Sequence, residues 1–267
     1  MNGIKGFLID LDGVMYIGDR EIPGAVEMLR ILNKKGYAFR FVSNTTRKSR
    51  RTIAERLLKM GFEIPENTIF TPPIAAIAYM MKKRGKNRCS LLVTGDAVSE
   101  FEDVCTGQPA EDVDFVIIGD AGEKITYESM NAAFRSLMNG AELIALERDR
   151  YWMAADGLSL SAGPFVSALE YATGKTAVVV GKPSKDFFAL ALEEMGLEPE
   201  EVAMIGDDIS TDIGGSQETG MTGILVRTGK FREEVLERSG VKPDHIIDSI
   251  ADLGIWLLPI PSLQNRP

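Results

Sequence analysis

The chain has 267 residues, which suits either one large domain or a core with a second domain. Its hydrophobic fraction of 45% and charged fraction of 26% are those of an ordinary globular protein, and no apolar run reaches the roughly 18 residues that a membrane span needs. The net charge of −9 argues against general nucleic-acid binding, because such binding requires an extended basic surface.

The cysteine and histidine content is low. The chain has two cysteines, Cys89 and Cys105, and one histidine, His245. There is no CxxC motif, so a structural zinc site is not expected and a disulfide framework is not implied. The first predicted strand begins within six residues of the start, which leaves no room for a signal peptide. We therefore predict a cytoplasmic protein without a membrane partner, and a structural role for His245.

The first third of the chain alternates between strand and helix patterns. The predicted elements are a strand at 6–9, a hairpin at 14–22, a helix at 23–35, a strand at 37–42, and helices at 47–60 and 71–84. Strands that alternate with helices in this way are typical of a parallel, doubly wound sheet. The basic residues at 47–51 are predicted to be a solvated helix face and not a phosphate-binding patch.

The alternation begins again in the middle of the chain. Here the predicted elements are strands at 91–93, 115–118 and 142–146, helices at 126–139 and 163–173, and loops at 147–152 and before residue 163. We predict that residues 77–176 form a second, inserted α/β domain. Residues 1–76 and 177–267 would then form a Rossmann-like core.

The last third returns to the core pattern. The predicted elements are strands at 176–180, 202–205 and 223–226, a helix capped by Ser184, and a short strand and helix between 244 and 258. The final residues, 259–267, are predicted to be disordered.

Four predicted strands of the core end in side chains that suit phosphate chemistry. These side chains are Asp10 with Asp12, Ser43 with Asn44 and Thr45, Lys182, and Asp207 with Asp208 and Asp212. Because the carboxyl ends of parallel strands share one edge of a sheet, we expect these residues to meet in one crevice. Two aspartates separated by one residue repel each other, and a divalent cation between them would hold both ionised.

The residue types indicate Mg²⁺ and a phosphoryl group. Mg²⁺ prefers hard oxygen ligands, which Asp10, Asp207 and a backbone carbonyl would supply. Ser43, Asn44 and Thr45 offer hydrogen-bond donors, and Lys182 offers a positive charge for a phosphate oxygen.

The two aspartates after the first strand can divide the reaction between them. Asp10 could attack phosphorus and form an aspartyl phosphate. Asp12 could protonate the leaving alkoxide and then deprotonate the hydrolytic water.

The motifs DLDG, VSNTT, GKPSK and GDDISTD resemble the four motifs of the haloacid-dehalogenase superfamily of phosphatases, in the same order from residue 4 to about residue 255. The insertion between the second and third motifs is similar to that of the C2-capped NagD-like, p-nitrophenylphosphatase-like branch. The resemblance therefore implies that residues 77–176 form a C2-type cap domain on a Rossmann-like catalytic core. The stretches MIGDDISTDIGG and VRTGKFR look most similar to phospholysine–phosphohistidine–inorganic pyrophosphate phosphatase-like members.

The resemblance implies a role for each matching residue. Asp10 matches the nucleophile and a metal ligand, Asp12 the acid/base whose backbone carbonyl binds the metal, and Asp207 the third protein ligand. The matching phosphate binders are Ser43, Asn44, Thr45 and Lys182. Asp208 and Asp212 would support the metal site from behind its ligands. Members of the family often pair through their caps, so a homodimer through the cap is one option, and the sequence leaves the oligomeric state open.

In relatives a cap loop contacts the leaving group of the substrate, and residues 147–152 match that loop, with Arg148 and Tyr151 as candidate contacts. Tyr151 and Trp152 stand where the pyridoxal phosphatase-like branch has a tryptophan and a histidine. This departure argues against a preference for pyridoxal phosphate.

Three other functions are weighed against a small-molecule phosphatase. A haloacid dehalogenase would not need Asp12, because a halide leaving group requires no proton. A receiver-like phosphoacceptor also uses acids, a hydroxyl and a lysine at strand ends, but it places its acids on separate strands and is about half as long. A non-catalytic phosphate-binding protein would not need the full set of catalytic residues.

Overall fold

The structure is a computed structural model that describes residues 3–83, 85, 87–105, 113–154 and 156–257. The chain divides into two compact units, of which the first contains residues 1–39 and 197–267 and the second contains residues 40–196. The domain boundaries at 76/77 and 176/177 stay a prediction. The predicted disorder of residues 259–267 lies outside the described residues.

The elements of the first part of the chain agree closely with the predicted alternation. In chain order they are β1 (Gly6–Asp10), β2 (Tyr16–Ile17), β3 (Arg20–Glu21), α1 (Ala25–Lys35), β4 (Ala38–Val42), α2 (Arg50–Lys59), β5 (Ile69–Phe70), α3 (Pro72–Met81) and β6 (Cys89–Leu92). Helix α1 ends at Gly36, whose φ of 75° suits a residue without a side chain. Helix α2 begins at Ser49, which accepts a hydrogen bond from the amide of Thr52.

The remaining elements continue in the same order. They are β7 (Phe115–Ile118), α4 (Tyr127–Met138), β8 (Glu142–Ala145), β9 (Tyr151–Ala154), β10 (Gly157–Leu160), α5 (Gly163–Thr173), β11 (Val178–Val179), α6 (Lys185–Met195), β12 (Val202–Gly206), α7 (Gly215–Gln217), β13 (Thr222–Val226), α8 (Glu233–Ser239), β14 (His245–Ile247) and α9 (Leu253–Leu257). A π-helical segment, Ile209–Gly214, precedes α7.

The first unit contains parallel strands in the order β14-β13-β12-β1. Strands β1 and β12 are buried along their whole length, so burial of apolar side chains drives their pairing. Ile9 lies opposite Ile205, and the residues that follow each of them therefore leave the sheet at the same edge. The predicted hairpin is confirmed as the antiparallel pair β2–β3.

The second unit contains a four-stranded parallel sheet in the order β11-β8-β7-β6, and its β4 and β5 also pair in parallel. Side chains of β7 and β8 pack against α4 and α5, with Val116, Ala133 and Val166 fully buried between them. The predicted α/β class with parallel sheets is therefore confirmed.

The stretch from 147 to 160 differs from its prediction as two loops. Strands β9 and β10 form an antiparallel hairpin, which places Tyr151 and Trp152 in a strand. The pattern contains a hairpin signal, because Asp156-Gly157 is a turn dipeptide that separates two partly apolar runs.

Several further features differ from the predictions, among them the short strand β5, which was not predicted. Helix α8 was not predicted, because its seven residues include no buried position to set an apolar period. Strand β11 contains only two of the five residues predicted at 176–180. Cys89 and Cys105 are joined by a disulfide, with their Cα atoms 5.5 Å apart, and this pairing was not predicted from their spacing.

Candidate active site

Three carboxylates meet at the edge of the first unit's sheet. Asp10 ends β1, Asp207 directly follows β12, and Asp212 lies in the π-helical segment beyond it. All three side chains are buried, and each offers an oxygen within 4.8 Å of the others. Buried carboxylates at this spacing repel one another, and a cation among them would offset the repulsion. Their hard oxygen atoms fit a divalent metal.

Asp208 and Asp212 are connected by hydrogen bonds at the start of the π-helical segment. The Asp208 carboxylate accepts hydrogen bonds from the amides of Ser210 and Thr211, both at 3.0 Å. The Asp208 amide donates to Asp212 Oδ2 at 3.1 Å. Burial raises the pKa of Asp208, but the amide of Thr211 and the ammonium of Lys230, 3.7 Å away, bring it below its usual value. The structure thus places Asp212 in the carboxylate cluster and Asp208 beside it.

Asp12 lies two residues beyond the strand and is exposed, in an isolated bridge with Tyr16. Its neighbour Gly13 has a φ of 89° and touches Asp207 so closely that a Cβ there would lie 2.0 Å from Asp207 Oδ2. A glycine after the acid pair is therefore required by volume as well as by backbone conformation.

The turn after β13 contributes to this site although no prediction from the sequence gives it a role. The amide of Lys230 donates to Asp207 Oδ2 at 2.7 Å, and the Thr228 hydroxyl donates to the Gly13 carbonyl. The position of the turn was the available signal, because β13 is parallel to β12 and must end at the same sheet edge.

In the second unit, Asn44 and Lys182 are brought together. The Asn44 side chain donates to the Lys182 carbonyl at 2.9 Å and accepts from the Lys182 amide at 2.8 Å. The Lys182 side chain is buried. Gly181 fits closely here, because a Cβ on it would lie 2.3 Å from the Leu146 carbonyl oxygen. These two hydrogen bonds, which we call the Asn44–Lys182 bridge, hold the loop after β4 against the segment before α6.

Ser43 and Thr45 flank Asn44 and are half-buried. The Ser43 amide donates to Phe70 at the end of β5, and the Ser43 hydroxyl accepts from the Thr45 amide at 3.4 Å. The sequence predicts that residues 43–45 and Lys182 lie in one crevice with the carboxylates. This stays a prediction.

The predicted substrate loop at 147–152 is anchored by a buried carboxylate. Glu147 accepts hydrogen bonds from the Ser161 hydroxyl at 2.6 Å, from the Ala162 amide at 2.8 Å and from the Asp149 amide at 2.5 Å. Burial raises its pKa above the usual value even though these three donors act in the opposite direction. Glu147 therefore fixes the loop from within.

The two candidate substrate contacts lie further along this segment. Arg148 pairs with Glu170 at 2.6 Å, and Tyr151 is about half exposed in β9. Arg148 precedes β9 and Tyr151 is its first residue. The contact of either residue with a substrate stays a prediction.

Three of the four basic residues at 47–51 pair with acids of their own unit. Arg47 pairs with Asp120, Arg50 with Glu100 and Arg51 with Glu55. Arg50 and Arg51 lie in the first turn of α2, whereas Arg47 precedes the helix, which begins three residues later than predicted.

The helices of the described part of the chain include none with the length and apolar content of a membrane-spanning segment.

Comparison with known proteins identifies the family. A family model described as haloacid dehalogenase-like hydrolase matches residues 7–105, and one described as HAD-hydrolase-like matches residues 179–253. Human haloacid dehalogenase-like hydrolase domain-containing protein 2 is 45% identical over 240 residues, which cover 90% of each chain. The chain belongs to the haloacid dehalogenase-like hydrolases. The bovine phospholysine phosphohistidine inorganic pyrophosphate phosphatase is 41% identical and matches 94% of this chain and 93% of its own.

Solved structures of this family agree with the sequence relationship. A 4-nitrophenylphosphatase from Thermotoga maritima is 30% identical, with a TM-score of 0.85 over 95% of this chain and 97% of its own. A p-nitrophenyl phosphatase from Archaeoglobus fulgidus is 31% identical, with a TM-score of 0.86 over 96% and 99%. The predicted family is thereby confirmed, and the chain is a phosphatase of the haloacid dehalogenase-like hydrolases.

Proposed function

We propose that this protein is a Mg²⁺-dependent phosphatase that hydrolyses small phosphomonoesters through an aspartyl-phosphate intermediate on Asp10. The observation that carries the proposal is the buried cluster of Asp10, Asp207 and Asp212 at one sheet edge. The names of the relatives support a phosphomonoester substrate of the p-nitrophenyl phosphate type.

The cation would be held by Asp10 and Asp207, with Asp212 beside them and the carbonyl of Asp12 as a further ligand. Carboxylate and carbonyl oxygens suit Mg²⁺ better than a softer metal. When bound, Mg²⁺ would neutralise part of the carboxylate charge, so that an anionic phosphate can approach Asp10.

The chain's own residues would carry out the steps of the reaction. An Asp10 oxygen forms a bond to phosphorus while the bond from phosphorus to the leaving oxygen breaks. Asp12 is exposed and can give its proton to that oxygen. Asp12 then takes a proton from water, which attacks phosphorus and releases inorganic phosphate from Asp10.

The residues of the second unit would bind the phosphate. Lys182 supplies positive charge, and Ser43, Asn44 and Thr45 supply donors to the transferring phosphoryl group. This role assumes the predicted convergence of the two groups in one crevice.

Phosphate release from p-nitrophenyl phosphate, measured with Mg²⁺ and after chelation, tests the proposal. We expect activity only with the metal, and a loss of at least about 10³-fold in Asp10→Asn, because an amide is a poor nucleophile. Asp19→Asn, in the exposed turn between β2 and β3, is the matched control. Equal activity of Asp10→Asn and the control would refute the mechanism.

Acid quenching with labelled substrate distinguishes the intermediate from a stable phosphoprotein. Label should appear on the wild-type chain during turnover and be absent from Asp10→Asn. A label that persists for minutes without phosphate release would instead support a receiver-like phosphoacceptor. A panel of sugar phosphates, nucleotides, phosphoglycolate, pyridoxal phosphate and pyrophosphate would then identify the preferred substrate.

A cytoplasmic location, the absence of a nucleic-acid or membrane partner, and a homodimer formed through the cap remain proposals. The acidic net charge of −9 supports the absence of a nucleic-acid partner. Size-exclusion chromatography with light scattering would measure the oligomeric state directly.

A further inference from the structure

The turn at residues 228–230, which we call the β13 turn, closes around one oxygen of Asp207. The amide of Lys230 donates to Asp207 Oδ2 at 2.7 Å. The Asp207 side chain is only 3% exposed, so the backbone of the turn replaces the solvent that would otherwise contact this oxygen.

Two glycines permit this close approach. A Cβ on Gly229 would lie 2.0 Å from Asp207 Oδ2 and 2.5 Å from the Cα of Gly13. A Cβ on Gly13 would also lie 2.0 Å from Asp207 Oδ2. Non-bonded atoms do not approach each other this closely, so a side chain at either position would displace the Asp207 carboxylate. Gly229 also has a φ of 62°, which other residues rarely adopt.

The turn is also tied in place on two sides. The Thr228 hydroxyl donates to the Gly13 carbonyl, which links the end of β13 to the segment after β1. Phe231, the next residue beyond the turn, packs against a buried cluster of Ile209, Ile213 and Leu225. The same cluster supports the π-helical segment that carries Asp212. The turn is thus fixed relative to two of the carboxylate-bearing segments.

We propose that the β13 turn is a positioning element that holds the Asp207 carboxylate in its metal-binding orientation, and that the Thr228 hydroxyl is the tether that keeps the turn closed. This inference rests on the proposed metal dependence of the enzyme. The residues of the turn act through Asp207. None of them is proposed to contact the reacting atoms.

Calorimetric titration of Mg²⁺ into the purified full chain tests this inference. Thr228→Val removes the hydroxyl at nearly constant volume, and we expect it to raise the Kd for Mg²⁺ by about 10-fold or more, as expected for a group that orients a metal ligand. Thr228→Ser retains the hydroxyl and should bind Mg²⁺ within about 3-fold of wild type. At saturating Mg²⁺, the kcat of Thr228→Val should recover toward that of wild type.

Gly229→Ala tests the close approach, with Gly240→Ala as the matched control. Gly240 has a φ of 71°, similar to that of Gly229, but nothing lies within 4 Å of its Cβ position. Both variants therefore incur a similar backbone cost, and only Gly229→Ala should weaken Mg²⁺ binding, by at least about 10-fold. Metal-free unfolding curves of both variants report whether each is folded.

The outcomes separate this inference from the proposed function. Wild-type Mg²⁺ affinity in Thr228→Val, equal losses in Thr228→Ser and Thr228→Val, or equal losses in the two glycine variants would each overturn the positioning role alone. A wild-type protein that neither binds Mg²⁺ nor needs it for turnover would overturn the proposed function and this inference together.

Discussion

The carboxylate cluster of the first unit and the Asn44–Lys182 bridge of the second unit are both built at strand ends, but they depend on different physical terms. Asp10, Asp207 and Asp212 carry like charges in a buried space, and glycines and backbone amides contact the side chains of Asp207 and Asp212. The bridge consists of two hydrogen bonds, which the neutral side-chain amide of Asn44 makes with the backbone carbonyl and backbone amide of Lys182.

This difference predicts how each region responds to change. The cluster should be sensitive to both charge and volume, because repulsion and close packing act on the same atoms. The bridge should be sensitive mainly to the loss of a donor or an acceptor. Substitutions in the two regions can therefore separate metal binding from loop position.

Of the substitutions that compare the two regions, Asp212→Asn in the cluster is expected to have the largest effect on Mg²⁺ affinity. This change removes a charge from three buried carboxylates and should lower Mg²⁺ affinity by roughly 10–100-fold, with a similar loss of activity at limiting Mg²⁺. Calorimetric titration measures the affinity. Asp208→Asn is the matched control, because an asparagine oxygen can still accept from Ser210 and Thr211. Equal effects of the two substitutions would contradict the distinction between these neighbours.

The bridge is tested by Asn44→Ala, which removes both hydrogen bonds to Lys182. We expect a loss of about 2–3 kcal/mol in the free energy of unfolding, because the Lys182 amide and carbonyl lose their partners in a half-buried site. Urea unfolding measures this value. Activity should fall by about 10²-fold while Mg²⁺ affinity stays within about 2-fold of wild type. An Asn44→Ala protein that binds Mg²⁺ as weakly as Asp212→Asn would remove the contrast between the two regions.

Glu147→Gln tests a buried carboxylate that lies outside both regions. The variant retains an acceptor for Ser161 and Ala162 but loses the one for the Asp149 amide, which should cost about 1 kcal/mol in the free energy of unfolding at low pH. Urea unfolding at several pH values measures the difference from wild type.

The pH dependence follows from the raised pKa of Glu147. The folded chain binds this proton more tightly than the unfolded chain, so the stabilisation from Glu147 is complete below its usual pKa of 4.5. It is lost as the pH rises through the higher pKa of the folded state. The stability advantage of wild type over Glu147→Gln should therefore shrink as the pH rises above 4.5. The exposed Glu63→Gln is the control, and an advantage that grows with pH would contradict the assignment.

The smallest effect on stability is expected from Arg148→Ala. Its ion pair with Glu170 is short, but the arginine is nearly half exposed, so its loss should cost no more than about 1 kcal/mol. If Arg148 contacts the substrate as predicted, KM for p-nitrophenyl phosphate should rise while kcat stays constant. Arg135→Ala on the exposed face of α4 is the control. An unchanged KM in Arg148→Ala would remove this residue from the substrate site.

The α/β class, most of the strand ends and the family follow from the amino-acid sequence alone. Short apolar runs that follow a glycine, such as Phe7 to Ile9, favour buried strands, and a charged residue such as Asp10 ends such a run because it cannot remain unpaired in a dry sheet. These are local consequences of side-chain polarity, so they can be read without knowing the rest of the fold.

Which residues lie next to one another in these sites depends on the three-dimensional packing of the chain. Asp212 joins the cluster because the chain forms a π-helical segment there, and Gly229 and Lys230 reach Asp207 because β13 is parallel to β12. The Cys89–Cys105 bond and the β9–β10 hairpin likewise depend on segments that approach in space. Polarity along the chain specifies where a strand ends, whereas the distance between two strand ends depends on the packing of the whole sheet.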